Sequence, residues 1–144
     1  MQPFIEQKFT ITGLKGISAK TIEEHLKLYQ GYVKNANSIM EKLPEYRKYA
    51  AEDAFAPYVV GELYRRFSFE FNGMRNHEVY FSSLQGGSKA LADGSALKKM
   101  TAETWGSFDA WLAEFKTAAA TTRGIGWMTL WYDNSSRRLI NSWI

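Results

Sequence analysis

His25 and His77 are the only imidazoles in this 144-residue chain, and they lie 52 positions apart. Each falls on or beside the apolar stripe of a long helical segment. If the two segments pack as an antiparallel hairpin, the imidazoles face each other at mid-height, and facing helices are a usual place to build a metal site. Imidazole nitrogen suits iron, manganese, zinc or copper. Two ligands do not make a site, however, and the pattern alone fits better with two polar side chains satisfied by local hydrogen bonds. A further arrangement would add carboxylates such as Glu24 or Glu78 to the histidine pair. The chain has no cysteine, so disulfides, zinc–thiolate sites and thiol catalysis are excluded.

The elements that would position these residues read clearly. Ile22, Leu26, Tyr29, Val33, Ala36, Met40 and Leu43 alternate steps of four and three, a helical stripe. Ser18 is its N-cap, and Pro44 is expected to stop it, because proline disfavours the helical region for the residue before it. The expected helix covers roughly 19–43. A second stripe, Val60, Leu63, Phe67, Met74, His77, Phe81 and Leu84, predicts a helix over 54–84 that ends at Gly86-Gly87. Glu70 falls on this stripe and conflicts with it. Gly73 marks either close packing or a break, since glycine weakens a helix interior.

A short amphipathic piece follows near 95–103. Ser107 caps another helix, with Phe108, Trp111, Leu112, Phe115 and Ala119 inward and with Gly124 and Gly126 at its end. Residues 127–132 and 137–144 are rich in strand formers and flank the turn cluster Asp133-Asn134-Ser135-Ser136. The predicted fold is α+β: a long antiparallel helical hairpin, then short helices and an incomplete antiparallel sheet. The expected division is 1–86 for the hairpin and 87–144 for a truncated α/β domain. The last strand, apolar to Ile144, is expected to be an edge that a third strand would cover.

The formal charge of +3 is too small, and its Lys/Arg pairs too scattered, to indicate nucleic acid. No stretch has the roughly 20 apolar residues of a membrane span or the shape of a signal peptide, so the expected compartment is cytoplasmic.

Five segments, in order, resemble the iron/manganese superoxide dismutases. Thr21-Ile22-Glu23-Glu24-His25, with Tyr32-Val33 and Asn37, is similar to the family's first-ligand helix. Asn76-His77-Glu78-Val79-Tyr80-Phe81 resembles its Asn-His-x-x-[Tyr/Phe]-[Trp/Phe] motif. Gly86-Gly87 falls at its glycine-rich turn. Trp105-Gly106-Ser107-Phe108 with Phe115-Lys116, and Arg123-Gly124-Ile125-Gly126-Trp127-Met128-Thr129-Leu130, look like two later segments. The resemblance implies one iron or manganese ion held by three histidines and an aspartate, and disproportionation of superoxide to dioxygen and hydrogen peroxide. It gives His25 and His77 as metal ligands, Tyr32 as a gateway tyrosine that relays protons, and Phe81 and Trp127 as part of the aromatic surround.

The family's remaining ligands come from an Asp-x-Trp-Glu-His segment that this sequence does not contain. The chain is therefore expected to hold metal weakly or not at all by itself. Its expected partners are a second copy, giving a homo-oligomer such as a dimer, or a complementing C-terminal chain. The family's Gly-Lys-His-His stretch is replaced by Leu26-Lys27-Leu28-Tyr29-Gln30-Gly31, one residue shorter and without histidine. That length places Tyr32 two regular turns after His25, with no π-bulge between them. Gly73 stands where many iron-type members have glutamine, which resembles the manganese type. The alternative function is a non-enzymatic interaction or structural protein with the same fold.

Overall fold

The first helix, α1 (Ala19–Tyr49), begins where the Ser18 hydroxyl accepts the Thr21 N–H at 3.0 Å. It buries Ile22, Tyr29, Val33, Ala36 and Leu43, the stripe read from the spacing. The expected stop at Pro44 is not observed: the helix runs through the proline to Tyr49. Leu43 is buried, and burying a leucine is worth about 2 kcal/mol, enough to hold it helical against the bias that proline imposes. A Lys42–Glu45 ion pair at 3.1 Å spans the proline, and Arg47 and Lys48 complement the carbonyl end of the last turn.

The computed structural model describes residues 2–87 and 89–144. After α1 come α2 (Ala56–Leu84), α3 (Ala96–Trp105), α4 (Phe108–Thr121), β1 (Met128–Asp133) and β2 (Arg138–Trp143), an α+β arrangement with a helical hairpin first. The chain divides into two compact units, Met1–Ser88 and Lys89–Ile144. Among the described residues, no helix is long and apolar enough to cross a membrane.

In the first unit α1 and α2 run antiparallel. Contacts pair His25 with His77, Tyr32 with Gly73, Asn35 with Glu70, and Arg47 with Tyr64. The core joins Tyr29 and Val33 of α1 to Met74 and Phe81 of α2. Glu70 stays on the buried stripe, 1 % exposed. Its Oε2 accepts a hydrogen bond from Asn35 Nδ2 at 3.3 Å. Its Oε1 lies 2.5 Å from Arg66 Nη2, an ion pair without hydrogen-bond geometry. A partner one turn away and another across the hairpin thus offset the burial of the charge.

Residues 2–17 form no helix or strand. They lie along the hairpin as a strap. Phe4 and Asn37 exchange two hydrogen bonds, at 2.7 and 2.9 Å. Thr10 N–H donates to Gln85 Oε1 at 3.0 Å. Phe4, Phe9 and Ile11 pack on the core.

In the second unit Ser95 and Ser107 cap α3 and α4 through Lys98 N–H and Ala110 N–H. Trp111 is the buried centre of the inner face of α4. Ala118 is half-buried while Ala119 is exposed, a one-residue shift from the expected face that follows the 108, 111, 115, 118 spacing. The helix ends at Thr121, before the glycines expected to end it, because Thr122 turns extended. Strands β1 and β2 pair antiparallel, from Met128 opposite Trp143 to Asp133 opposite Arg138. Trp127 and Ile144 continue the ladder with two backbone hydrogen bonds, at 2.8 and 3.0 Å. Asn141 of β2 accepts from Trp111 Nε1 and donates to Glu114, tying the hairpin to α4.

Candidate metal centre

His25 enters from α1 and His77 from α2, and the hairpin brings their rings edge to face with centroids 4.8 Å apart and planes at 81°. His77 is 5 % exposed and His25 is half-buried. Aromatic rings surround both. Phe81 lies 5.1 Å from His25 and 6.0 Å from His77. Tyr80 flanks His25 at 5.2 Å. Tyr32 lies 5.0 Å from His77, and Tyr29 stacks on it at 6.4 Å.

The His77 tautomer follows from one contact. Nδ1 lies 2.6 Å from the carbonyl oxygen of Gly73. A carbonyl only accepts, so Nδ1 carries the proton and the ring lone pair sits on Nε2. Burial lowers the pKa of both imidazoles; for His25 the neighbouring His77 adds to this, and for His77 the Gly73 carbonyl opposes it. Both rings are therefore held toward the neutral form, the one that binds metal.

Tyr32 is seven residues after His25 on an uninterrupted α-helix, with no π-bulge between them. Its ring lies against Gly73: a Cβ there would sit 2.5 Å from both Cδ1 and Cε1 of Tyr32. Of the two readings open for Gly73, close packing is the one observed, since α2 is unbroken through it.

A second polar group borders the histidines, centred on Tyr29, which sequence reasoning placed only on the helical stripe. Tyr29, fully buried, accepts from Gln7 N–H at 2.8 Å and donates to Glu78 Oε1 at 3.2 Å. Arg75 Nη1 donates to the other Glu78 oxygen at 2.6 Å. Burial holds the Tyr29 hydroxyl above the ordinary phenol pKa, with the Gln7 bond opposing and the Glu78 charge assisting. The available signals were slight: Tyr29 is one turn after His25, and Glu78 adjoins His77.

Nor does either carboxylate join the pair. Glu24 binds Lys27 at 2.8 Å, and Glu78 is committed to Tyr29 and Arg75. Among the described residues, no group of three or more His, Cys, Asp or Glu is placed to hold a metal ion, so the arrangement of two histidines plus local carboxylates is not formed. What is present is two imidazoles side by side, one buried and one half-buried, both held toward the neutral form. Imidazole nitrogen is a donor type that suits iron or manganese, and two such donors are fewer than a metal shell needs. Trp127, the remaining residue singled out from the sequence, belongs to the second unit, where it continues the strand ladder.

Residues 9–85 match the family model for the α-hairpin domain of iron/manganese superoxide dismutases, and residues 93–144 match the model for their C-terminal domain. The superoxide dismutase [Mn] of Mycobacterium celatum is 34% identical over 118 residues, covering 81% of this chain and 80% of that protein. The superoxide dismutase [Fe] of Aquifex aeolicus is 37% identical over 131 residues, covering 88% and 59%. That of Cupriavidus metallidurans is 38% identical over 133 residues, covering 90% and 64%. The chain thus spans four fifths of the first relative and about three fifths of the other two. Both metals occur in the relatives' names, so the likeness does not select one.

Proposed function

Because the chain belongs to the iron/manganese superoxide dismutase family, we propose that it contributes His25 and His77 to a mononuclear centre that disproportionates superoxide to dioxygen and hydrogen peroxide. The observation that carries this reading is the edge contact of the two imidazoles, with the His77 proton placed on Nδ1. When bound, an iron or manganese ion would supply the exchange of electrons between two superoxide anions. His77 would donate through Nε2, its Nδ1–H being held by Gly73. Tyr32, beside His77, would carry a proton toward the reduced product through its hydroxyl. Phe81, Tyr80 and Tyr29 would keep bulk water from the two rings.

Two nitrogens do not close a shell, so the remaining donors would come from another segment, continuous with this one or carried by a partner chain. The chain alone is expected to bind iron or manganese weakly and to show negligible turnover. A chimera that appends the C-terminal part of the Aquifex aeolicus superoxide dismutase should bind about one ion per chain and disproportionate superoxide. His25→Ala or His77→Ala in that chimera should abolish both. A folded chimera that takes up no iron or manganese would overturn the proposal. It would favour the second reading, a non-enzymatic protein with this fold, which draws its support from the lack of a third donor beside the histidines among the described residues.

A further inference from the structure

We propose that Gly73 is a positioning residue of this site: its bare Cα seats the Tyr32 ring and its carbonyl holds the His77 imidazole, so one residue places both side chains. This rests on the reading of His77 as a metal ligand and extends it.

Glycine in a helix interior weakens the helix, so its presence calls for a reason. Backbone conformation is not that reason, because Gly73 is not among the positive-φ glycines and α2 is regular through it. Room is the reason. A Cβ at Gly73 would lie 2.5 Å from two Tyr32 ring carbons and 3.0 Å from a third. Gly31 and Gly61, on the same two helices, have nothing within 4 Å of that point. Nor is the Tyr32 ring free to swing aside without loss, since Phe69 lies 5.9 Å away on one contact and His77 5.0 Å on another. The second role comes from the same peptide: the Gly73 oxygen accepts Nδ1–H of His77 at 2.6 Å. Any shift of α2 that relieves a crowded position 73 therefore also moves the acceptor that orients His77.

The test uses the full chain without added metal, then with manganous ion alone as probe. Gly73→Ala should lower the melting temperature, remove the nuclear Overhauser contacts between the Tyr32 ring and position 73, and shift the His77 ring nitrogens. Gly61→Ala, where a Cβ meets open space, should raise the melting temperature as a helical glycine replacement ordinarily does. In a Tyr32→Ala background, Gly73→Ala should do the same, because the clash is gone. Paramagnetic broadening of the His25 and His77 signals should need about ten-fold more manganous ion in Gly73→Ala than in the parent, the order of loss seen when a residue that orients a ligand is disturbed. A Gly73→Ala chain that melts higher than the parent with its Tyr32 contacts intact would overturn the proposal. If manganous ion broadens neither histidine in the parent, the metal reading fails, while the seat for Tyr32 is still decided by the metal-free measurements.

Discussion

Replacing Tyr29 with phenylalanine removes one oxygen and detaches the strap and α2 from α1 at the same point. The hydroxyl takes a hydrogen bond from Gln7 and gives one to Glu78 inside the core. Leaving those partners unpaired should cost about 1–3 kcal/mol, read as a lower urea midpoint with unchanged slope. A loss below about 0.5 kcal/mol would mean that water replaces the hydroxyl. His25 and His77 were legible as candidates because a residue type and a helical step suffice to single them out, whereas Tyr32 was legible only through the family resemblance. Tyr29 was legible only as a stripe residue: its partners are 22 and 49 positions away, and no local pattern ties a tyrosine to them. Glu70 was legible only as a conflict, since its resolution depends on Asn35 across the hairpin.

At the scale of elements, periodicity identified the four described helices, and the capping serines were read correctly, but local rules failed at the C-terminal ends of α1 and α4. Pro44 shows why. Its effect on Leu43 is a local bias, while the burial of Leu43 is decided by α2. Proline still has no N–H to give the carbonyl four residues back, so Pro44→Ala should restore a hydrogen bond and raise stability by about 1–3 kcal/mol, with a small gain in helical circular dichroism. The β-turn offers a pH test. Asp133 accepts from the Ser136 hydroxyl and from the N–H groups of Ser136 and Ser135, which lower its pKa. A folded pKa below the unfolded one means a stabilising contribution present above about pH 3.9 and lost as pH falls through the folded value. The Ser135 and Ser136 amide resonances should therefore follow Asp133 with a midpoint below that of an ordinary aspartate. Asp133→Asn should remove that titration, and an ordinary midpoint would contradict the turn geometry.

For the molecule as a whole, the order of helices and strands was enough to predict α+β, but nothing announced the strap, whose residues have no period to read. Residues 1–88 possess a core of their own in Tyr29, Val33, Met74 and Phe81, sealed by Phe4, Phe9 and Ile11. A segment of that size is marginal but sufficient. Expressed alone, residues 1–88 should unfold cooperatively and keep the His25–His77 ring contact in nuclear Overhauser spectra. A non-cooperative melt with no such contact would show that the unit does not fold independently.

The strap has a consequence in time rather than in energy. Its anchors join residues 33, 22 and 75 positions apart, and long-separation contacts slow folding. It has no surface to dock on until α1 and α2 have paired, so Phe9 should close over Tyr29 and Phe81, the rings beside the two histidines, last. Phe9→Ala should then speed unfolding in stopped-flow experiments and leave the refolding rate nearly unchanged, the signature of contacts made after the transition state. During that interval on each molecule's way to the native state, the Tyr29 and Phe81 rings that flank the imidazoles should still lack their cover from Phe9.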